Sequence, residues 1–389
     1  MSGAIFEQPT LWRRLRPVLF GFDGPLTVAI GILAAFGLLT MYSAGFDHGT
    51  RFVDHGRNML IALALLFLVA QVPPQRLMSL AVPLYTVGVA LLVATALFGV
   101  SKKGATRWLD VGVVKQLVIQ PSELLKLAMP LMLAWWFQKC EGRLSLAAWV
   151  VAGLLVLVPV GLVVKQPDLG TAILILSAGI YVVFFAGLSW KLIAPVLALA
   201  VVAIVALIVS EPTICQPDVQ WPLLKAYQQH RVCTLLDPGK DPLGKGFHII
   251  QGMIAIGSGG LTGKGFMQGT QTHLEFIPER TTDFIFAAFA EEFGLAGTLG
   301  LLLAFTFLIF RGLMIAAEAP TLFSRLLAGA ITLSFFTYAF VNMGMVSGIL
   351  PVVGVPLPFV SYGGTAMVTL GVALGILMSI SKSRRLMQS

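Results

Sequence analysis

The sequence predicts an all-α integral membrane protein of about ten transmembrane helices, and three observations carry that reading. Charged residues make up 11% of the 389-residue chain against 57% hydrophobic, with a mean hydropathy of +0.89, too little charge to cover a soluble surface of this size. Apolar runs at 25–44, 55–72, 77–100, 122–137, 144–164, 170–188, 192–209, 283–310, 322–346 and 364–380 reach or approach the roughly 17–25 residues a bilayer-crossing helix needs. None shows the period-two alternation of an outer-membrane barrel, and a helix is the other way to satisfy every backbone group in lipid. Residues 1–389 read as one polytopic domain, and the largest hydrophilic segment, 210–282, forms an external loop between the seventh and eighth helices.

Orientation follows from the basic residues. Arg13, Arg14 and Arg16 precede the first span and Lys382, Arg384 and Arg385 follow the last, so the positive-inside bias places both termini in the cytoplasm. Arg76, then Lys139 with Arg143, Lys191, and Arg311 with Arg325 fall in alternate connections and agree. More than twenty residues precede the first apolar run, and no cleavable signal peptide is evident. The net charge of +8 is scattered over membrane-flanking positions without a basic-aromatic patch, which points to anionic membrane lipid and away from nucleic acid. Cys140 falls on the cytoplasmic side, whereas Cys215 and Cys233 share the external loop, where a disulfide is expected and two free thiols are the alternative.

Polar clusters gather on the external side. Connection 101–121 carries Lys102, Lys103, Arg107 and Lys115 against the single acid Asp110, contrary to the bias for a short outer loop. A phosphate or diphosphate at the lipid interface would use those cations, and ordinary headgroups would too. Pro121 and Ser122 are start signals for a helix on which Glu123 and Lys126, three apart, share a face. Their pairing is the plain reading, and Lys126 facing a substrate phosphate is the functional one. Asp168 is either the cap of the sixth helix or part of the same outer polar surface.

The loop 210–282 holds six Lys or Arg and six Asp or Glu, so it reads as a folded flap, with 247–256 lying on or dipping into the interface. The glycine cluster 257–265 fits neither a Walker loop nor a dinucleotide fingerprint. Close backbone packing or a hinge is expected there, with Lys264 a candidate anion contact. In 274–294, Glu275, Glu279, Arg280 and Asp283 crowd against the mouth of an apolar run interrupted by Glu291 and Glu292. Ionisable groups at a membrane surface are functional candidates by default, and Asp283 leads them. Helix capping by Asp283 is the competing reading. Segment 346–364 is rich in Pro and Gly yet almost uncharged, which predicts a re-entrant turn that brings Ser361 and Tyr362 near an external cavity.

Taken together, Lys103-Gly104-Ala105-Thr106-Arg107-Trp108-Leu109, Gln120-Pro121-Ser122-Glu123, Gln166-Pro167-Asp168-Leu169-Gly170-Thr171 and Asp241-Pro242-Leu243-Gly244 resemble the SEDS family (shape, elongation, division and sporulation). Phe276-Ile277-Pro278-Glu279-Arg280-Thr281-Thr282-Asp283-Phe284-Ile285-Phe286 and Pro356-Leu357-Pro358-Phe359-Val360-Ser361-Tyr362-Gly363-Gly364 complete a likeness that spans essentially the whole chain. Arg280 favours the elongation branch, since the division branch typically has Ala after the Glu, and Thr281 departs from the His that the elongation branch often carries.

The resemblance implies a peptidoglycan glycosyltransferase that polymerises lipid II at the outer face of the cytoplasmic membrane and releases undecaprenyl diphosphate. It makes Asp283 the catalytic residue and implies a class B penicillin-binding protein as transpeptidase partner. Arg107, Lys126 and Arg280 are then candidates to stabilise the departing diphosphate, with Glu123, Asp168, Lys264 and Ser361 as further substrate-binding candidates. A divalent cation, magnesium or manganese, is a candidate to share that role, although its ligands are not assigned. Two rivals are a lipid II flippase, which needs polar sites open to both faces, and a scaffold of the elongation complex, which has no use for Asp283.

Overall fold

The computed structural model describes residues 22–47, 49–102, 105–110, 118–141, 145–216, 219, 221, 226–241, 244–277 and 279–388. Arg13, Arg14, Arg16, Lys103, Lys115 and Arg143 lie outside the described residues, as does the side chain of Arg107.

Among the described residues, thirteen α-helices dominate the order α1 (Gly24–Ala44), α2 (Arg51–Val69), α3 (Pro74–Phe98), α4 (Pro121–Lys139), α5 (Leu146–Lys165), α6 (Leu169–Phe185), α7 (Trp190–Ile214), α8 (Ala226–Leu236), α9 (Lys245–Ser258), α10 (Thr270–His273), α11 (Ile285–Ala317), α12 (Leu322–Val346) and α13 (Gly364–Gln388). Eight are long and apolar enough to cross a membrane: α1, α2, α3, α5, α7, α11, α12 and α13. The expected spans at 122–137 and 170–188 are also helical, as the 19-residue α4 and the 17-residue α6. Helix starts follow local chemistry: Asp23, Ser145 and Thr321 cap α1, α5 and α12 by accepting from Leu26 N at 3.1 Å, Ala148 N at 3.3 Å and Ser324 N at 3.2 Å.

One departure from all-helix is a small antiparallel meander in the 101–121 connection, ordered β1 (Val100–Lys102), β2 (Ala105–Asp110), β3 (Val118–Ile119). Lys102 pairs with Ala105 and Leu109 with Ile119. Its backbone places Arg107 in the middle of β2.

Helices α12 and α13 form the buried centre, with 72% and 78% of their membrane windows covered by protein, while α5 and α7 present apolar surface outward. No described side chain of α7 is buried, so this helix stands at the edge of the bundle with Val196, Leu199 and Val202 exposed. The two ends of the bundle differ. At one, Asp23 receives Arg311 Nε at 2.9 Å and Nη2 at 2.6 Å and Ser381 Oγ at 3.1 Å, tying α1, α11 and α13. The opposite end carries the meander, the 166–168 turn, the long loop before α11 and the Pro/Gly segment before α13, which are the polar clusters of the sequence.

The long loop is a folded flap, as expected, and Cys215 at the end of α7 is bridged to Cys233 in α8. Cys140 is a free thiol. Helix α9 packs one face against the bundle and leaves Met253 and Ile254 exposed. Ile249 and Ala255 are buried, and Gly252 packs against Phe284 and the Val346 carbonyl. The second half of the Pro/Gly segment is buried, with Val355, Leu357, Phe359 and Val360 each 1% exposed or less, while Ile349 and Gly354 are exposed.

Candidate active site

The turn that carries Asp283 is built on non-helical backbone and held from four directions. Within the turn, Thr282 N and Phe284 N both donate to the Glu279 carbonyl at 3.1 Å, and Thr282 Oγ1 donates to the Glu279 carboxylate at 2.7 Å. From the Pro/Gly segment, Ser361 Oγ donates to the Thr282 carbonyl at 2.7 Å and Tyr362 N to the Thr281 carbonyl at 2.8 Å. From α12, the fully buried Asn342 donates through Nδ2 to the carbonyls of Asp283 at 2.9 Å and Val355 at 2.7 Å. From the start of α2, Arg51 Nη1 donates to Thr281 Oγ1, and its guanidinium lies 5.7 Å from the centre of the Tyr362 ring. The fourth support is Arg280, 3% exposed, which donates to the Ala44 carbonyl at 3.1 Å and pairs with Asp47 in the α1–α2 connection.

Asp283 is therefore not the cap of α11. The helix begins at Ile285 with Phe284 in the cap position and no side-chain capping bond. The Asp283 carboxylate is partly exposed beside Gly354, whose φ is +73° and where a Cβ would sit 3.3 Å from Oδ2.

Directly below, α11 is broken. Gly294 has φ 62° and ψ −161°, and the loop 259–265 lies against the break. Lys264 N and Gly265 N donate to the carbonyls of Glu291 and Glu292, each at 3.0 Å, while Leu295 N and Ala296 N donate to Gly260 and Leu261 at 2.9 and 3.0 Å. The glycines permit this approach: a Cβ at Gly263, whose φ is +81°, would fall 2.0 Å from the Glu292 carbonyl oxygen. Close backbone packing is thus the role of the glycine cluster. Glu291, fully buried, anchors the same loop by accepting from Lys264 Nζ at 2.7 Å, Gln271 N at 2.9 Å and Thr272 N at 3.2 Å. Glu292 accepts from Ser43 Oγ of α1.

Several residues singled out from sequence prove to be engaged with protein. Lys264 is paired with Glu291 and Thr270 and is not an open anion contact. Asp168 is 5% exposed and caps α6, accepting from Thr171 N at 3.2 Å and Thr171 Oγ1 at 3.0 Å, so its capping reading holds. Ser361 is 3% exposed and, besides Thr282, accepts from Leu357 N at 2.8 Å, so its hydroxyl staples two loops instead of lining a cavity. Arg280 spends its guanidinium on Asp47 and Ala44. Lys126 and Glu123 form the expected pair at 2.6 Å inside the bundle. There Glu123 also accepts from Thr369 Oγ1 at 3.1 Å, and Lys126 Nζ lies 5.6 Å from the Tyr338 ring centre, at a narrow pocket shared with Phe335 and Leu174. None of those partners belongs to the Asp283 turn.

Sequence reasoning missed Arg51 and Asn342. Arg51 left a signal, a cation at an outer helix end against the positive-inside bias, but a span set to begin at 55 consigned it to a loop. Asn342 left only a polar residue near the end of an apolar run. Among the described residues no group of three or more His, Cys, Asp or Glu converges as a metal-ligand set would.

Comparison with known proteins gives a consistent result. The FtsW/RodA/SpoVE cell cycle protein family model matches residues 22–386. The chain is 47% identical over 382 residues to the peptidoglycan glycosyltransferase MrdB of Escherichia coli K12, covering 98% of each. In structure it resembles a chain solved in a study of how a peptidoglycan synthase complex coordinates polymerisation and crosslinking, with TM-score 0.76, 33% identity and coverage of 94% of this chain and 99% of that one. It also resembles the rod shape determining protein RodA of Thermus thermophilus, with TM-score 0.67, 28% identity and coverage of 94% and 98%.

Proposed function

Because the chain belongs to the FtsW/RodA/SpoVE cell cycle protein family, we propose that it is a multi-pass membrane peptidoglycan glycosyltransferase that joins lipid II units into glycan strands, with Asp283 as its base. The observation that carries the role of Asp283 is the effort spent on its backbone. Asn342, Ser361, Tyr362, Arg51 and Arg280 all hold the turn, while the carboxylate itself stays partly exposed beside Gly354.

In the reaction, a sugar hydroxyl of lipid II attacks the anomeric carbon of the growing, diphosphate-linked strand. A new carbon–oxygen bond forms, the bond to the diphosphate oxygen breaks, and undecaprenyl diphosphate leaves with the electron pair. Asp283 takes the hydroxyl proton, a contribution typically worth 10²–10⁴-fold. Cations near the leaving diphosphate lower the barrier further. Arg107 on β2 remains a candidate for this, whereas Lys126 and Arg280 are already committed to Glu123 and Asp47. Magnesium commonly binds through one or two carboxylates plus substrate phosphates. A magnesium or manganese ion at this site would be held by the substrate together with a carboxylate of this turn, Asp283 or Glu279, and would supply positive charge to the leaving diphosphate.

The end of the bundle that carries Asp283 faces outward in this reading, with both termini in the cytoplasm of a bacterium and the strand growing at the outer surface of the inner membrane. The transpeptidase that crosslinks the strand is a separate class B penicillin-binding protein, a proposal supported by the likeness to a chain of a synthase complex.

The deciding substitution is Asp283→Asn. It preserves size and turn-forming ability but cannot accept the proton. Purified Asp283→Asn should insert, melt and bind its partner like the wild type, yet form no glycan from labelled lipid II. Polymerisation near the wild-type rate would remove Asp283 from the chemistry. Since a flippase or a scaffold would tolerate the change, the same experiment separates those readings.

A further inference from the structure

Arg51 opens α2 on the same end of the bundle as Asp283. Its guanidinium spans the two non-helical segments that make the site, donating to Thr281 of the catalytic turn and lying over Tyr362 of the Pro/Gly segment. Among the described residues no carboxylate pairs with it, in contrast to Arg280, Arg311 and Lys264, which are paired with Asp47, Asp23 and Glu291. Arg57 one and a half turns on is satisfied by Asp54 at 3.0 Å. A guanidinium offers five N–H donors, and the Thr281 hydroxyl takes one. The side chain is half-buried and held in orientation by an aromatic face, and the Thr281 it grips lies two residues before Asp283. Such a fork matches the oxygens of a phosphate.

We infer that Arg51 is an anion-binding residue for the diphosphate of a lipid-linked substrate, an assignment that rests on the glycosyltransferase reading above. The packing gives it a geometric role that a long, mobile lysine at a membrane surface would lack. Tyr362 N and Arg51 Nη1 hold Thr281 from its carbonyl and its hydroxyl respectively, so the cation and the turn that bears the base move as one body. A diphosphate held on Arg51 is thereby positioned relative to Asp283 and not merely attracted to the surface.

The test reads binding without turnover. Full-length protein in nanodiscs of zwitterionic lipid is titrated with undecaprenyl diphosphate and, separately, with undecaprenol, which shares the chain and lacks the charge. Arg51→Gln should weaken the diphosphate about tenfold, the size of one charge-assisted hydrogen bond, and leave undecaprenol unchanged. Arg51→Lys keeps the charge but loses the fork, so it should fall between, and it serves as the working variant if Gln lowers the melting temperature. Equal affinity for the diphosphate in wild type and variants, or an equal loss of both ligands, overturns the proposal. Phosphatidylglycerol discs supply the other source of phosphate. If that lipid abolishes the difference between wild type and Arg51→Gln, Arg51 is a headgroup contact and the substrate assignment falls. Because undecaprenyl diphosphate carries no sugar, failure of the Asp283 assignment would leave this result standing, and a negative result here would leave polymerisation by Asp283 standing.

Discussion

Replacing Asn342 by Leu keeps the side-chain volume and removes both donors from the point where α12 meets the Asp283 turn and the Pro/Gly segment. Two carbonyls, the part-buried one of Asp283 and the buried one of Val355, then lose the partner they now have at 2.9 and 2.7 Å. An unsatisfied buried acceptor costs about 1–3 kcal/mol, so the pair costs about 2–6 kcal/mol if nothing relaxes. The backbone will relax, because the turn is not regular helix and can move toward solvent. That motion converts lost stability into misplacement of the Asp283 carboxylate relative to Gly354 and the substrate. A displacement of about 1 Å at a reacting group costs roughly 10²-fold in rate, which corresponds to about 2.7 kcal/mol of barrier. The expected result is therefore a kcat for glycan synthesis about 10²-fold lower with KM for lipid II nearly unchanged, alongside a modest fall in melting temperature. Labelled lipid II, gel separation of the glycan products and a thermal melt of the same preparation provide the three numbers. A wild-type kcat with a lowered melting temperature would refute the reasoning, since it would show that Asn342 packs α12 without positioning the base.

Three further outcomes are expected. Gly263→Ala forces a positive φ on a residue with a Cβ and drives that Cβ toward the Glu292 carbonyl, at a cost of about 2–5 kcal/mol; a melting temperature equal to wild type would show that the loop 259–265 does not seat on α11 as described. Glu123→Gln strands a buried Lys126 charge and should destabilise by about 3–5 kcal/mol, while Glu123→Gln with Lys126→Met should recover both melting temperature and polymerisation. Recovery of the first without the second would give Lys126 a part in the reaction. Cys215 and Cys233 should be recovered as one disulfide-linked peptide pair from protein matured in the cell, and Cys215→Ser should loosen the α7–α8 connection by about 3 kcal/mol, seen as faster proteolysis within 216–241; free thiols in protected samples would contradict it.

What was legible in the sequence was what short-range rules govern. Hydropathy marked the long helices, and Glu123 and Lys126 announced their pair through a three-residue spacing, whereas for Asp168 the sequence offered both a cap and a substrate contact and the structure shows the cap. The crowding of charge at 275–283 pointed to the candidate site. The same signals failed to say what each charge does, because a buried ion pair and a substrate contact have the same composition. Lys264, Arg280 and Ser361 were read as facing ligand for that reason, and their partners, Glu291, Asp47 and Thr282, lie 27, 233 and 79 residues away in sequence. Asn342 reaches Asp283 across 59 residues and Arg51 reaches Thr281 across 230, beyond any local rule.

The supports around Asp283 share a property that bears on mechanism. They grip main chain, a neighbouring hydroxyl or, at Arg280, the guanidinium of the turn itself, and they come from different parts of the bundle: α2, α12, the α1–α2 connection and the Pro/Gly segment. A polymerising enzyme must release a diphosphate and accept a new lipid-linked unit at every cycle, so the lipid-facing elements around its site have to yield. A base on an exposed helix end would move with them. Here the turn is fixed to the protein-covered α12, whereas α7, with no buried described side chain, borders the bundle where a lipid chain can pass. The contrast is between a turn held by main-chain bonds from several elements and a rim whose α7 buries no described side chain, an arrangement that suits a base that must keep its place while lipid-linked substrates come and go.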